Sequence, residues 1–350
     1  MDFREHIRQK INKKNTIIEF GPLNRPLFTK EEFPNIYYAD IRDTESIKKL
    51  YSGNDYLEKT GISVDINSIV NIDYVIKDTY KKTFKNKKFD VAYLSHVVEH
   101  MPDIIKFFEE IANILNDNGK LILIYPDKRY CFDHYRNSAS FRDAYATYKY
   151  GPKENARMAF DFGYNVVHEN NPYVFWNDTN LTNIISKNEL KDAEKYFTET
   201  LNGKQIDDVH FWPFSDIDFL KFIYEAQRAG LFPFEILEFY PTEENTQEFM
   251  AILKKSKKIQ SNKVLELIDT YDPTIKEKNT KLLLERQQEK IDKLEKEIVE
   301  KNKETAVASN KIGQLEEQLK RSVEEYDKII NSRSWRMTKV FRQVNSLIRK

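Results

Sequence analysis

Acids, a glycine and histidines recur just past the apolar runs of this chain, where strand ends would present them to a ligand. The run Thr16–Phe20 carries Glu19 and closes on Gly21 and Pro22. Lacking a Cβ, Gly21 lets a ligand approach the backbone, and an acid at a strand end suits a cationic or amine-bearing group. Asp40 ends the run Ile36–Ala39, where a carboxylate can accept both hydroxyls of a ribose. Asp73, or as the lesser choice Asp78, follows or caps a third run and is placed to meet an adenine amine. The run Phe89–Leu94 leads into Ser95 and His96, and His96 is the best-placed general base. His100, a helical turn later, reads as a structural residue at a helix start. His210, within Asp208-Val209-His210-Phe211-Trp212, is read as a base or a substrate contact. For each imidazole the competing reading is a satisfied, partly buried side chain.

A second cluster follows the fifth apolar run. Pro126 to Arg136 packs acids, bases and aromatics into one loop. Carboxylates and guanidinium groups beside aromatic rings suit sugars or phosphates, which makes Asp127, Arg129 and Asp133 the substrate-side candidates. A solvated, salt-bridged loop is the competing reading. No His/Asp/Glu set shows metal-ligand spacing, so no metal is assigned, although Asp127, Asp133 and His134 leave a divalent ion open.

The elements that must position these residues alternate between strands and helices. Beyond the runs already named, Ser68–Val75 is a weaker third strand, and Leu121–Tyr125 a fifth that ends at Pro126. Between strands four and five, Asp103–Leu115 has apolar residues at helical spacing and Gly119 as a stop. Phe234–Phe239 and Phe249–Leu253 suggest a closing antiparallel pair. Such alternation predicts a mostly parallel, doubly wound sheet, with ligands beyond the carboxyl ends of its strands. Residues 127–215 lack clean periodicity and are read as an inserted lid or substrate segment.

Composition bounds the remainder. Across 350 residues, Lys+Arg and Asp+Glu each number 56, so no global field marks a nucleic-acid binder. The single cysteine, Cys131, excludes an internal disulfide and a cysteine-based zinc site. No apolar run is long enough to span a bilayer, and Met1 is followed by charged residues, so the expected location is cytoplasmic. Aromatics and prolines concentrate in residues 1–255; residues 256–330 are rich in Lys and Glu. There Leu284, Ile291, Ile298, Ile312, Leu319 and Tyr326 keep a seven-residue register, interrupted at Thr305, with Leu294, Leu315 and Ile329 three residues after members of it. That is a coiled-coil seam, weak around Lys301, implying self-association as a dimer or trimer. Residues 331–350 hold basic residues, Trp335 and apolar residues at helical spacing, which suits peripheral contact with an anionic membrane surface.

The strand-end pattern resembles the class I methyltransferases. More narrowly, EFGPLNRP, IYYADIRDTESIKKLY, FDVAYLSHVVEHMPD, GKLILIYPDKRYCFDHYR and DVHFWPFSDIDF are similar, over roughly residues 15–255, to a bacterial methyltransferase family that accompanies glycosyltransferases of surface-polysaccharide synthesis. SRSWRMTKVFR resembles the tails of many such enzymes. The usual class I methyltransferase loop has two or three glycines, whereas this loop has Gly21 alone, a form that the narrower family tolerates. The resemblance implies a Rossmann-like sheet with an antiparallel closing strand, plus a C-terminal α-helical coiled coil. It implies S-adenosylmethionine as cofactor, bound by Glu19, Gly21, Pro22, Asp40, Asp73, Ser95 and His96, with His96 and His210 catalytic. The expected activity is O-methylation of a polysaccharide sugar or its lipid-linked precursor at the cytoplasmic membrane face, with glycosyltransferases as partners. The alternatives are a non-catalytic scaffold of a glycosyltransferase complex, or a methyltransferase acting on a small molecule or lipid.

Overall fold

A computed structural model describes residues 2–52, 64–177, 184, 188–204, 206, 208–256, 261–339 and 342–343. Two units separate, residues 1–275 and 276–350. The first is built on a seven-stranded sheet: β1 Ile17–Phe20, β2 Ile36–Asp40, β3 Tyr74–Val75, β4 Phe89–Ser95, β5 Leu115–Pro126, β6 Phe234–Tyr240 and β7 Glu248–Lys255. Their order is β3-β2-β1-β4-β5-β7-β6, with β7 antiparallel to both neighbours and the other pairings parallel.

The sheet is covered on both faces, so its strands are apolar at successive positions rather than alternating with polar residues. Leu121, Leu123 and Tyr125 of β5 point into one core cluster, while Ile122 and Ile124 point into the other. The larger cluster takes the helix Ile104–Ile114, which Asp103 caps by accepting the Lys106 N–H, and the helix Asp216–Arg228, capped likewise by Ser215. β1 lies between β2 and β4, with Phe20 level with Ala39 and Leu94. The ends of these three strands therefore stand side by side, and Gly21, Asp40 and Ser95 are neighbours by register.

Three expectations change. The third strand shrinks to Tyr74–Val75, because Ile66–Ser68 forms a 3-10 turn and Asp73 bonds to the Tyr38 amide. Gly119 lies within β5 rather than stopping a helix: the helix ends at Ile114, and Leu115 is already extended. The first unit also continues past 255. Residues 261–271 form a helix whose Val264 and Ile268 are buried in the main core, spacing that the Lys-rich composition conceals. Residues 127–215 fold mainly as helices, Phe141–Tyr150, Ala156–Asn165, Pro172–Asn177 and Leu190–Leu201 among them.

The second unit contains most of a single helix, Pro273–Asn331, whose seam residues Leu284, Ile291, Ile298 and Leu319 are exposed. A short helix, Arg333–Met337, follows, with the Arg342 guanidinium 3.6 Å from the Trp335 ring centre. The tail residues Val340, Phe341, Val344, Leu347 and Ile348 lie outside the described residues. No helix among the described residues is long and apolar enough to cross a membrane.

Candidate active site

Beyond the carboxyl ends of β1, β2 and β4 lies a cleft of about 1480 Å³, with Gly21, Asp40, Ser95 and His96 on its wall. Gly21 has φ +62°, and a Cβ there would stand 3.3 Å from Val97 Cγ2. The turn thus asks for glycine twice, for its backbone angle and for room. Asp40 is partly buried, its Oδ1 accepting from the Arg42 amide, and burial raises its carboxyl above the ordinary value. Beside it Ile41, Ile76 and Tyr80 give the cleft an apolar stretch. The inserted segment also lines the cleft, through Phe162 and Tyr196 of its helices and Val167 just past the helix Ala156–Asn165.

His96 sits at the turn after β4 with φ +55°, a left-handed conformation that costs a side-chain-bearing residue about 1–2 kcal/mol. Its amide donates to the Ile124 carbonyl, and its Nε2 lies 2.7 Å from Glu248 Oε1 at the start of β7. A carboxylate only accepts, so Nε2 carries the proton and Nδ1 is the basic nitrogen. Burial works against a charge on this ring. The Glu248 bond and the nearby Glu99 carboxylate outweigh it and hold the pKa above the ordinary value.

Close to His96 lies a group that was not among the expected site residues. Glu99 is fully buried, and neither carboxylate oxygen has a hydrogen-bond partner among the described residues. Its Oε1 is 3.7 Å from His96 Nδ1, 4.0 Å from His100 Nε2 and 3.9 Å from His210 Nε2. Burial raises the Glu99 carboxyl above its usual range, against the pull of His210 and His96. Burial also pushes the His100 pKa down to about 3, so that ring is neutral. His100 Nδ1 lies 3.1 Å from the Val209 carbonyl and His210 Nδ1 2.5 Å from Asp133 Oδ2; both histidines line the cleft. Spacing held a signal here: His96, Glu99 and His100 stand at i, i+3 and i+4, one face of a turn. The third imidazole comes from over a hundred residues away, beyond the reach of any periodicity.

The remaining expected site residues lie elsewhere. Glu19 is buried, its two oxygens accepting the Leu27 and Phe28 amides, so it braces the turn instead of meeting a ligand. Pro22 is buried beside Gly21 and off the cleft wall. Asp73 bonds the Tyr38 amide and Lys30, and Asp78 bonds the Thr79 amide and Lys82; neither lines the cleft. The substrate-side trio is also corrected. Arg129 holds buried Asp127 through two hydrogen bonds and reaches Asp216 as well, a closed internal network. Asp133 is buried between His210 and Arg136. The loop is salt-bridged, with Asp127 and Asp133 buried and Arg129 partly exposed. His134 bonds the Arg129 carbonyl and shares no centre with Asp127 or Asp133, whereas Glu99, His100 and His210 each offer an atom within 4.8 Å of the others.

Residues 1–188 match the family model Methyltransf_23, described as a methyltransferase domain. No curated protein matches. Solved structures to which the chain is similar include the plantazolicin methyltransferase BpumL in complex with SAH (9% identical, covering 73% of this chain and 81% of that one, TM-score 0.35). Others are a SAM-dependent methyltransferase from Methanosarcina mazei (11%, 73% and 99%, TM-score 0.34) and one from Aquifex aeolicus (12%, 72% and 89%, TM-score 0.30). With more than half of its length matched and a ligand-sized cleft at the ends of β1, β2 and β4, the chain belongs to this family of methyltransferase-domain enzymes.

Proposed function

We propose that the chain moves a methyl group from S-adenosylmethionine to a hydroxyl of a sugar, in a bacterial surface polysaccharide or its lipid-linked precursor, at the cytoplasmic face of the membrane. The observation that carries this reading is the convergence of Gly21, Asp40, Ser95 and His96 on one cleft. The residues fit the donor. Gly21, kept free of a Cβ by its backbone angle and by Val97, presents bare backbone on the cleft wall, Asp40 is placed for ribose hydroxyls, and Ile41, Ile76 and Tyr80 suit a flat base. When bound, S-adenosylmethionine supplies a methyl already activated by a sulfonium. What this chain adds is alignment of the acceptor and removal of its proton. Glu248 fixes the tautomer of His96, leaving Nδ1 to take that proton. Phe132, Phe162 and Tyr196 offer apolar ring surface for a sugar.

The polysaccharide context rests on the sequence phrases, and the membrane context on the basic, Trp-bearing tail. Self-association through the long helix, and contact of the tail with an anionic surface or a glycosyltransferase, would keep the enzyme beside a growing chain. The test is calorimetric titration with S-adenosylmethionine, then transfer of labelled methyl to a panel of short glycan acceptors. We expect a saturable heat that Asp40→Ala weakens at least tenfold, since charge-assisted hydrogen bonds are worth about 1.5–3 kcal/mol each. A wild-type chain that gives no heat ends the proposal; binding without transfer to any glycan ends its sugar part.

A further inference from the structure

The geometry points to a divalent transition-metal site formed by Glu99, His100 and His210, with an open ligand position on the cleft. A buried carboxylate without a hydrogen bond is costly to fold around, and Glu99 has two bare oxygens at zero exposure. Its nearest polar neighbours do not repair this. The Val209 carbonyl can only accept, so His100 Nδ1 bears the proton and its Nε2, 4.0 Å from Glu99 Oε1, presents a lone pair. His210 is held the same way: Asp133 accepts from Nδ1, turning Nε2 toward Glu99 at 3.9 Å. Lone pairs aimed at one another across about 4 Å are stabilised by a cation between them.

The supporting contacts are those of a metal centre. A ligating histidine donates its other N–H to a carboxylate or a carbonyl, which fixes tautomer and ring angle. Here Asp133 and Val209 serve His210 and His100 in that way, and Arg136 holds Asp133 in turn. The rings of His100 and His210 stand 4.6 Å apart, nearly perpendicular. Three atoms within 4.8 Å of one another share a point about 2.8 Å or less from each, so shifts under about 1 Å reach the 2.0–2.2 Å of zinc ligation. Two imidazoles and one carboxylate suit Zn²⁺, Co²⁺ or Mn²⁺ rather than Mg²⁺ or Ca²⁺, which prefer oxygen. Three protein ligands leave a position for a water or the acceptor hydroxyl, and both histidines line the cleft that holds Gly21 and Asp40. Bound there, the acceptor oxygen becomes more acidic and is fixed beside His96. That role rests on the methyl-transfer reading; the site itself does not.

The experiment uses the full chain, stripped with a chelator and titrated with Co²⁺, whose visible absorption reports imidazole ligation, and then with Zn²⁺ in competition. One equivalent per chain is expected. Glu99→Gln and His100→Asn should weaken binding at least a hundredfold, and Asp133→Asn, acting through His210, about 10- to 100-fold. Heat of S-adenosylmethionine binding is measured on the same stripped samples as a check of folding and of the donor reading. Uptake of no ion by wild type that still binds the donor overturns the metal site and leaves the methyl-transfer reading intact. Ion uptake without donor binding does the reverse. Wild-type affinity in folded Glu99→Gln and His100→Asn also overturns the site. Should those variants not fold, wild-type stoichiometry and the Asp133→Asn affinity decide it.

Discussion

His96 is held by its backbone as much as by its side chain. At φ +55° most residues are strained, but asparagine tolerates that region, so His96→Asn keeps the turn while removing the basic nitrogen. We expect this variant still to bind the methyl donor and to lose about 10²–10⁴ in kcat, the usual weight of a general base. Unchanged turnover would move the base elsewhere. Position at a strand end, together with the family resemblance, marked Gly21, Asp40, Ser95 and His96 as cleft residues, because each ends or follows a strand whose direction the fold class dictates. The same rule misplaced Glu19, Asp73, Asp127 and Asp133. An acid near a strand end either faces a ligand or turns inward to satisfy an amide or a cation. That choice depends on partners brought by tertiary contact: Leu27 and Phe28 for Glu19, Arg129 for Asp127, His210 and Arg136 for Asp133.

The N-terminal helix Phe3–Lys10 shows how one element is pinned to another. Lys10 and His6 both reach Glu238 on β6, and Tyr240 donates to the same carboxylate. Burial opposes ionisation of Glu238, but Lys10, Tyr240 and His6 prevail and lower its pKa to about 2. A carboxyl with a depressed folded pKa contributes stability above its unfolded value of 4.5, and that contribution is lost as pH falls toward 2. Urea unfolding followed through buried Trp212 should therefore show wild type losing about 1 kcal/mol more than Glu238→Gln across that interval, as befits a partly exposed pair. Parallel pH curves would show that the pair contributes nothing. Neither partner advertised this contact in sequence, being over two hundred residues apart. Strands β1, β2, β4 and β5 were legible because a strand buried on both faces is a continuous apolar run. β3 was legible only as the end of a weaker run, since only Tyr74 and Val75 pair.

The whole chain carries a helix of 59 residues, about 90 Å long, whose apolar stripe has no covering partner among the described residues. Ile291 is 48% exposed, Ile298 58% and Leu319 66%, and they share one heptad position. A stripe of that period winds against a second copy, which buries it at about 25 cal/mol per Å². We therefore expect sedimentation velocity to give the full chain a mass two or three times 41.7 kDa. Replacing Ile291 and Ile298 together by Asp would bury four charges in a dimer, each costing several kcal/mol, and should yield monomers. The mixed Leu, Ile and polar content of the seam leaves both two and three strands open, so the measured mass decides between them. The substitutions lie in the second unit, so donor binding by residues 1–275 is expected to survive. If wild type already sediments as a monomer, or the double variant keeps the wild-type mass, this seam does not join the copies.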